Sequence, residues 1–264
     1  MEQISSFQNN KVKQIKKLRD KRGREQFGRY VIDDDRDLQR ALAHGHQVDY
    51  AFYCPDFGGS ALRDQIETVY EVPADIMRKV SYRQNPSSLV AVMVTPPALN
   101  AETLAPEKDD LLLVLVNLKK PGNIGALLRT ADACGVRAVL LVDTALDLYN
   151  PNIIRASTGA VFLNNIYTLS ADEVQRFLSW NKYQTFAALV DGDMPVYQAD
   201  FDGRCAIIMG TEDIGLDETW RNAATHHIVI PMSGQVTDSL NVSVSGAIFL
   251  YEALRQRYIG AGKG

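Results

Sequence analysis

The chain has 264 residues, 46% hydrophobic and 23% charged, with a formal net charge of −4, the balance of a globular protein with one large or two moderate domains. No apolar run is long enough to span a bilayer, and the opening MEQISSFQNNKVKQIKK lacks the apolar core of a signal peptide. Cys54, Cys134 and Cys205 stand far apart and read as reduced core residues of a cytoplasmic protein; His44 with His46, and His226 with His227, read as surface or strand-end residues, and no metal is expected.

The first thirty residues hold nine basic and three acidic groups, a net +6, which leaves −10 for the rest. A basic arm on an acidic body points to a polyanion, because phosphate contacts release counterions. A helix is predicted over Ser6–Lys21, then a strand at FGRYVI, a helix at DRDLQRALAHG closed by Gly45, and a strand at VDYAFYC. LRDQIETVYE is predicted as a helix, VSYRQN as an exposed piece and LVAVMV as a strand. The stretch TPPALNAETLAPEKDD mixes proline, small residues and charge, as linkers do. A first domain over 1–95, a linker over 96–110 and a second domain over 111–264 follow from this.

From Leu111 the runs LLLVLVNL, AVLLVD, TFAALV, CAIIMG and HIVIPM are short and nearly continuously apolar, as buried parallel strands are. Helical segments IGALLRTADACG, PNIIRAST and ADEVQRFLSW separate them, which predicts an α/β domain with a mostly parallel sheet.

In such sheets ligands bind beyond the carboxyl ends of the strands. Three loops there are unusual. In NLKKPGNIGALLRTADACG, Pro121 and Gly122 make a turn and Asn123 is placed to cap a helix. Ile124, Leu127, Leu128 and Ala131 form that helix's buried stripe, and Arg129 points off it, free to meet a phosphate or to pair with Asp132. In IIMGTEDIGL, Gly210 permits close approach, Gly215 the return turn, and Glu212 sits between them. The third loop, SGQVTD, leads to Ser239 as a helix cap. Leu240, Val244, Ala247, Ile248, Tyr251 and Leu254 then fall at helical spacing as one buried stripe. Ser239, Asn241, Ser243 and Gly246 are poor helix formers but allow close packing and supply hydrogen bonds near a helix N-terminus. The glycines fit neither the P-loop nor the G-x-G-x-x-G dinucleotide fingerprint, which speaks against a nicotinamide-dependent enzyme.

In this order, PGNIGALLRTADACGV, MGTEDIGL and IPMSGQVTDSLNVSVSGAIFLYEALR resemble the three motifs of the TrmH/SpoU branch of the SPOUT RNA methyltransferases. IIRASTGAVF is similar to that family's R-x-S-x-G segment. KLRDKRGREQFGRYVIDDDRDLQRALAHG is similar to the small α/β substrate-binding domain that many members carry, with Asp33-Asp34 where many have Glu-Gly. The resemblance implies a C-terminal parallel-sheet domain with a deep trefoil knot beside a smaller N-terminal α/β domain. It implies one pocket for S-adenosylmethionine, a homodimer through the C-terminal domain, and methylation of a ribose 2′-hydroxyl of RNA.

By that resemblance Arg129 acts at the reacting hydroxyl. It binds the target phosphate and polarises the hydroxyl, or removes the proton itself; a guanidinium is a poor base. Asn123, Glu212 and Asn241 position substrate, Arg129 and loop, and Ser239 orients the ribose or the arginine. The cofactor lies against Met209, Gly210, Ile230, Met232, Ser239 and Leu240. Lys16, Lys17, Arg19, Lys21, Arg22, Arg24, Arg29 and Arg155 hold RNA. The two-domain layout favours ribosomal RNA; transfer RNA, base methylation and a non-catalytic RNA-binding module of the same fold are the alternatives.

Overall fold

The computed structural model of the protein describes residues 2–143 and 146–260. Met1, Thr144, Ala145 and Ala261–Gly264 fall within the two expected domains and lie outside the described residues.

In chain order the elements are β1 (Glu2–Gln3), α1 (Asn10–Lys17), α2 (Lys21–Phe27), β2 (Arg29–Ile32), α3 (Asp35–Ala43), β3 (Val48–Tyr53), β4 (Val69–Glu71), α4 (Ala74–Val80) and β5 (Leu89–Val94). There follow β6 (Leu111–Val116), α5 (Pro121–Ala133), β7 (Ala138–Val142), α6 (Pro151–Ser157), β8 (Ile166–Leu169), α7 (Ala171–Trp180) and β9 (Gln184–Ala188). The chain closes with β10 (Met194–Pro195), β11 (Cys205–Met209), α8 (Glu218–Ala223), β12 (His226–Val229) and α9 (Val242–Gly260). They form two compact α/β units, Met1–Pro97 with Asp147–Leu163, and Ala98–Leu146 with Asn164–Gly264.

The first unit is built on a five-stranded mixed sheet in the order β1-β4-β3-β5-β2. Val31, Tyr50, Phe52, Val90 and Val92 face a core completed by Val12 and Ile15 of α1 and Ile76, Met77 and Val80 of α4. Tyr30 stacks on Tyr149 at 4.3 Å and bonds His46, so residues from 147 to 163 pack with this unit. His46 corrects the surface reading: it is 7% exposed, its Nε2 donates to the Phe162 carbonyl at 3.1 Å, and its Nδ1 accepts from the Tyr30 hydroxyl at 2.7 Å. Burial holds its pKa below the ordinary value.

Two expectations fail here. The helix predicted over Ser6–Lys21 is instead α1 and α2 with an elbow between them. The Asn9 side chain accepts from Lys11 N and caps α1. At the elbow a Cβ on Gly23 would lie 1.9 Å from the Lys17 carbonyl oxygen, so only glycine fits. LRDQIETVYE forms a short 3-10 turn at Arg63–Gln65 and then strand β4. Val69 and Tyr70 favour a pleated surface, and pairing with both β1 and β3 overrides the local helical pattern.

The second unit carries a seven-stranded, all-parallel sheet in the order β10-β12-β9-β11-β6-β7-β8, consistent with the SPOUT knot fold. β6, β7 and β11 are buried along their whole length, as their continuous apolar runs require. Residues 98–110 pack on this unit: Leu99 bridges Tyr167, and Leu104 is buried in the core.

Helix α9 packs on α5 and β11. Its buried residues are Gly246, Phe249, Leu250 and Ala253. The stripe predicted as buried is on another face: Leu240 is 37% exposed, Val244 48% and Tyr251 53%. Apolar residues are spread over every side of this helix, so periodicity does not select a face. Gly246 does, since a Cβ there would stand 2.3 Å from Leu127 Cδ2.

Candidate functional site

The carboxyl ends of β9, β11 and β12 open into a cavity of about 600 Å³, within the usual range for small-molecule sites. Met209, Gly210, Ile230, Met232, Ser239 and Leu240, named from sequence for the cofactor, all line it, and so do Glu212 and Asn241.

The turn after β11 is closed by two backbone bonds of 3.1 Å between Thr211 and Gly215, whose φ of +69° suits glycine. A Cβ on Gly210 would lie 2.2 Å from the Gly215 backbone, so the turn folds flat over that position. Glu212 is thereby displayed towards α5, where its Oε1 accepts from Asn123 Nδ2 at 2.7 Å. Asn123 Oδ1 in turn accepts from Asn241 Nδ2 at 3.2 Å. One chain of hydrogen bonds thus joins the three loops singled out in the sequence.

Capping differs from expectation at both helices. α5 begins at Pro121 after Lys120, so Asn123 lies inside its first turn and its side chain is free for Glu212. At α9 the capping side chain is Asn241, whose Oδ1 accepts from Ser243 N at 2.9 Å, and not Ser239, whose Oγ donates to Asp238 Oδ1 at 3.4 Å. Arg129 is exposed and does not line the cavity. Six residues after Asn123, it stands about 9 Å further along the helix and about 120° around it.

Lys120, Asp191, Arg221, Ser245 and Phe249 also line the cavity and were not singled out from sequence. Asp191 follows β9 as Glu212 follows β11, so the same strand-end rule marks its loop. Arg221 donates to both Asp191 oxygens, at 3.1 and 2.7 Å. Those bonds hold the Asp191 carboxyl below its ordinary pKa and raise that of Arg221.

In the first unit, Lys17, Arg19, Lys21 and Arg22 are exposed and Lys16 is half-buried. Arg19 also donates to the carbonyls of Lys79 and Ser81, Arg29 pairs with Asp49 at 2.8 Å, and Arg155 donates to Asn152 Oδ1 at 2.7 Å. Arg24 is a correction. It is 5% exposed, pairs with Asp147 at 2.5 Å, and donates to the carbonyls of Leu18 and Arg19 at the end of α1. It satisfies orphaned helix carbonyls instead of facing a ligand.

The family model described as the SpoU rRNA Methylase family matches residues 110–251, which contain the whole cavity. The chain belongs to the SpoU rRNA methylase family. An MRM3-like substrate binding domain matches residues 9–91. Among relatives of this SpoU chain, the 23S rRNA (uridine(2479)-2'-O)-methyltransferase of Streptomyces viridochromogenes is 31% identical over 250 residues, 90% of this chain and 86% of that one. The 23S rRNA (guanosine(2553)-2'-O)-methyltransferase RlmP of Bacillus subtilis (strain 168) is 28% identical over 254 residues, 95% of this chain and 98% of that one. A crystal structure of an RNA 2'-O ribose methyltransferase is 37% identical with a TM-score of 0.84, covering 97% of this chain and 99% of that chain. The SpoU methyltransferase AviRb of Streptomyces viridochromogenes, in complex with AdoMet, is 26% identical with a TM-score of 0.85, covering 95% of this chain and 98% of that chain.

Proposed function

We propose that the protein transfers a methyl group from S-adenosylmethionine to a ribose 2′-hydroxyl of ribosomal RNA. The observation that carries this reading is the cavity beyond β9, β11 and β12, with Glu212 and Asn241 on its wall and Asn123 hydrogen-bonded between them. The donor set fits the cofactor. Ile230, Met232 and Leu240 offer apolar surface for the adenine. Glu212, Asp213 and Asp238 suit a sulfonium and an ammonium, and Lys120 suits a carboxylate. When bound, the cofactor supplies a methyl group activated by the positive sulfur.

The chain's own residues orient the reaction. Asn123, Glu212 and Asn241 fix the loops that aim the ribose, an effect of alignment. Ser239 orients the ribose, and Arg129 binds the target phosphate and polarises the hydroxyl. Residues 2–97 hold the RNA through exposed Lys17, Arg19, Lys21 and Arg22, with Lys16 beside them. Ribosomal RNA is favoured because both curated relatives described above carry 23S rRNA in their names. The exposed apolar face of α9, with Val244 and Tyr251, supports a homodimer through this unit, to be checked by sedimentation against Val244→Glu. The buried thiols of Cys54, Cys134 and Cys205 suit a cytoplasmic setting. Among the described residues no helix is long and apolar enough to cross a membrane.

The test is incubation with methyl-labelled S-adenosylmethionine and unmodified total RNA, followed by separation of ribosomal and transfer RNA and alkaline hydrolysis. Ribose methylation blocks cleavage, so label in uncut dinucleotides from ribosomal RNA is expected, and Arg129→Ala loses it. Label in mononucleotides would mean base methylation; cofactor binding with no label on any RNA or ribosomal particle would favour a binding module.

A further inference from the structure

The segment between β9 and β10 has a fixed course. In the sheet order β10-β12-β9 these two strands flank β12, so residues 189–193 arch over its carboxyl end. Leu189 N donates to the Ile228 carbonyl at 2.9 Å, which pins the start of the arch. Gly192 packs so closely that a Cβ would stand 2.8 Å from Ile228 C and 2.9 Å from the His227 carbonyl oxygen. At the crown, Arg221 of α8 grips Asp191 through both carboxylate oxygens. An exposed loop carboxylate ordinarily wanders; this one is held by three independent constraints, and it lines the cavity.

We propose that Asp191 is the acceptor for the ribose hydroxyls of the cofactor, a positioning residue for the methyl donor. The proposal rests on the cavity being the S-adenosylmethionine site. Asn123 and Glu212 lie towards β6 and α5 on one side of β11, while Asp191 and Ile230 lie towards β9 and β12 on the other. A cofactor whose methyl reacts beside Asn123 and whose adenine meets Ile230 must pass its ribose between them. The bidentate arginine neutralises the carboxylate, so a cationic ammonium gains little there. Each oxygen keeps a lone pair for an O–H donor, and carboxylate–ribose pairing of this kind recurs at strand ends of nucleotide-binding sheets.

Calorimetric binding of three probes to the full chain tests this: S-adenosylhomocysteine, 5′-methylthioadenosine, which lacks the amino-acid part, and the 2′,3′-dideoxy form of methylthioadenosine. Asp191→Ala is expected to weaken the first two about tenfold to hundredfold, as loss of a hydrogen bond to a charged group does. The dideoxy probe, already weak, should be unchanged, so the variant erases the preference for the hydroxyls. Asp191→Asn, which keeps one acceptor and the shape, is expected to lose less, and it carries the test if the alanine variant does not fold. A loss for S-adenosylhomocysteine alone would place the carboxylate at the amino-acid end. Equal loss for all three probes, or none, would make the pair a tie for the loop only. Either result overturns the proposal. Wild-type protein that binds none of the three would instead overturn the reading of the cavity.

Discussion

Asn241 and Asn123 stand 118 residues apart in the chain, yet the amide of one donates to the carbonyl oxygen of the other at 3.2 Å. Asn123 in turn donates an amide N–H hydrogen bond to Glu212 at 2.7 Å. Residues joined in one network do not contribute independently. Asn123→Ala is therefore expected to lower methyl transfer about tenfold to hundredfold, and Glu212→Ala to do about the same. The double variant should lose little more than either single one, with a coupling of about 1–3 kcal/mol in kcat/KM. Simple additivity would show that the two side chains act separately.

Gly210 and Gly246 are both crowded, but by different neighbours. Beside Gly210 stands backbone, Gly215 C and O at 2.2 Å, which no rotamer change relieves. Beside Gly246 stand side chains, Leu127 Cδ2 at 2.3 Å and Met209 Sδ at 3.1 Å. Gly210→Ala is expected to displace the Glu212 turn and weaken S-adenosylhomocysteine binding more than tenfold, about 1.4 kcal/mol or more. Gly246→Ala is an overpacking change costing about 1–3 kcal/mol of stability, seen as a lower Tm with binding largely kept. Calorimetry and thermal melts on both variants separate the two effects.

The centre of the second unit's sheet was legible because β6, β7 and β11 are buried along their whole length and so read as unbroken apolar runs. β8 and α8 escaped notice; each is short, and Ile166–Leu169 lies between two asparagines and a serine without a run of its own. The cavity was legible through Gly210, Ile230 and Leu240, since strand ends bind ligands whatever their residues. What the sequence hid was direction. Arg24 belongs to a run of exposed basic residues and differs from Arg22 only in facing the end of α1. Val244 and Phe249 are both apolar on one helix, and only packing against α5 and β11 decides which is covered.

That difference between Arg24 and Arg22 is measurable. Removing one partner of a buried ion pair leaves an uncompensated charge, so Arg24→Ala should destabilise the protein by about 3–5 kcal/mol. Arg22 is exposed and Arg22→Ala should leave stability within about 0.5 kcal/mol. The same change should weaken RNA binding and reduce the slope of log affinity against log salt by about 0.7–0.9. Denaturant titration and RNA binding at two salt concentrations read both quantities. A stable Arg24→Ala protein with weakened RNA binding would return Arg24 to the RNA-contacting set.

Asp37 makes the stability of the first unit depend on pH in an unusual sense. It is 7% exposed, and burial first, then the neighbouring Asp34, push its pKa up to about 6 from 3.8. Arg40, 3.6 Å away, and Arg83 only partly offset this, and Asp33 adds to it. The folded state therefore binds this proton more tightly than the unfolded chain. At pH 7 the carboxylate is charged in both states, and burying that charge costs stability. As pH falls through 6 the folded state takes up the proton first, and the cost shrinks until it is gone near pH 4. His46 acts oppositely: its lowered pKa gives a contribution that is full above about 6.5 and is lost as pH falls. Asp37→Asn leaves His46 in place, so the difference between variant and parent isolates the carboxylate. The variant is expected to be more stable by about 2 kcal/mol at pH 7, with the advantage falling away between pH 6 and pH 4. Urea unfolding across that range is the measurement. A difference that stays constant with pH would show that Asp37 carries no buried charge.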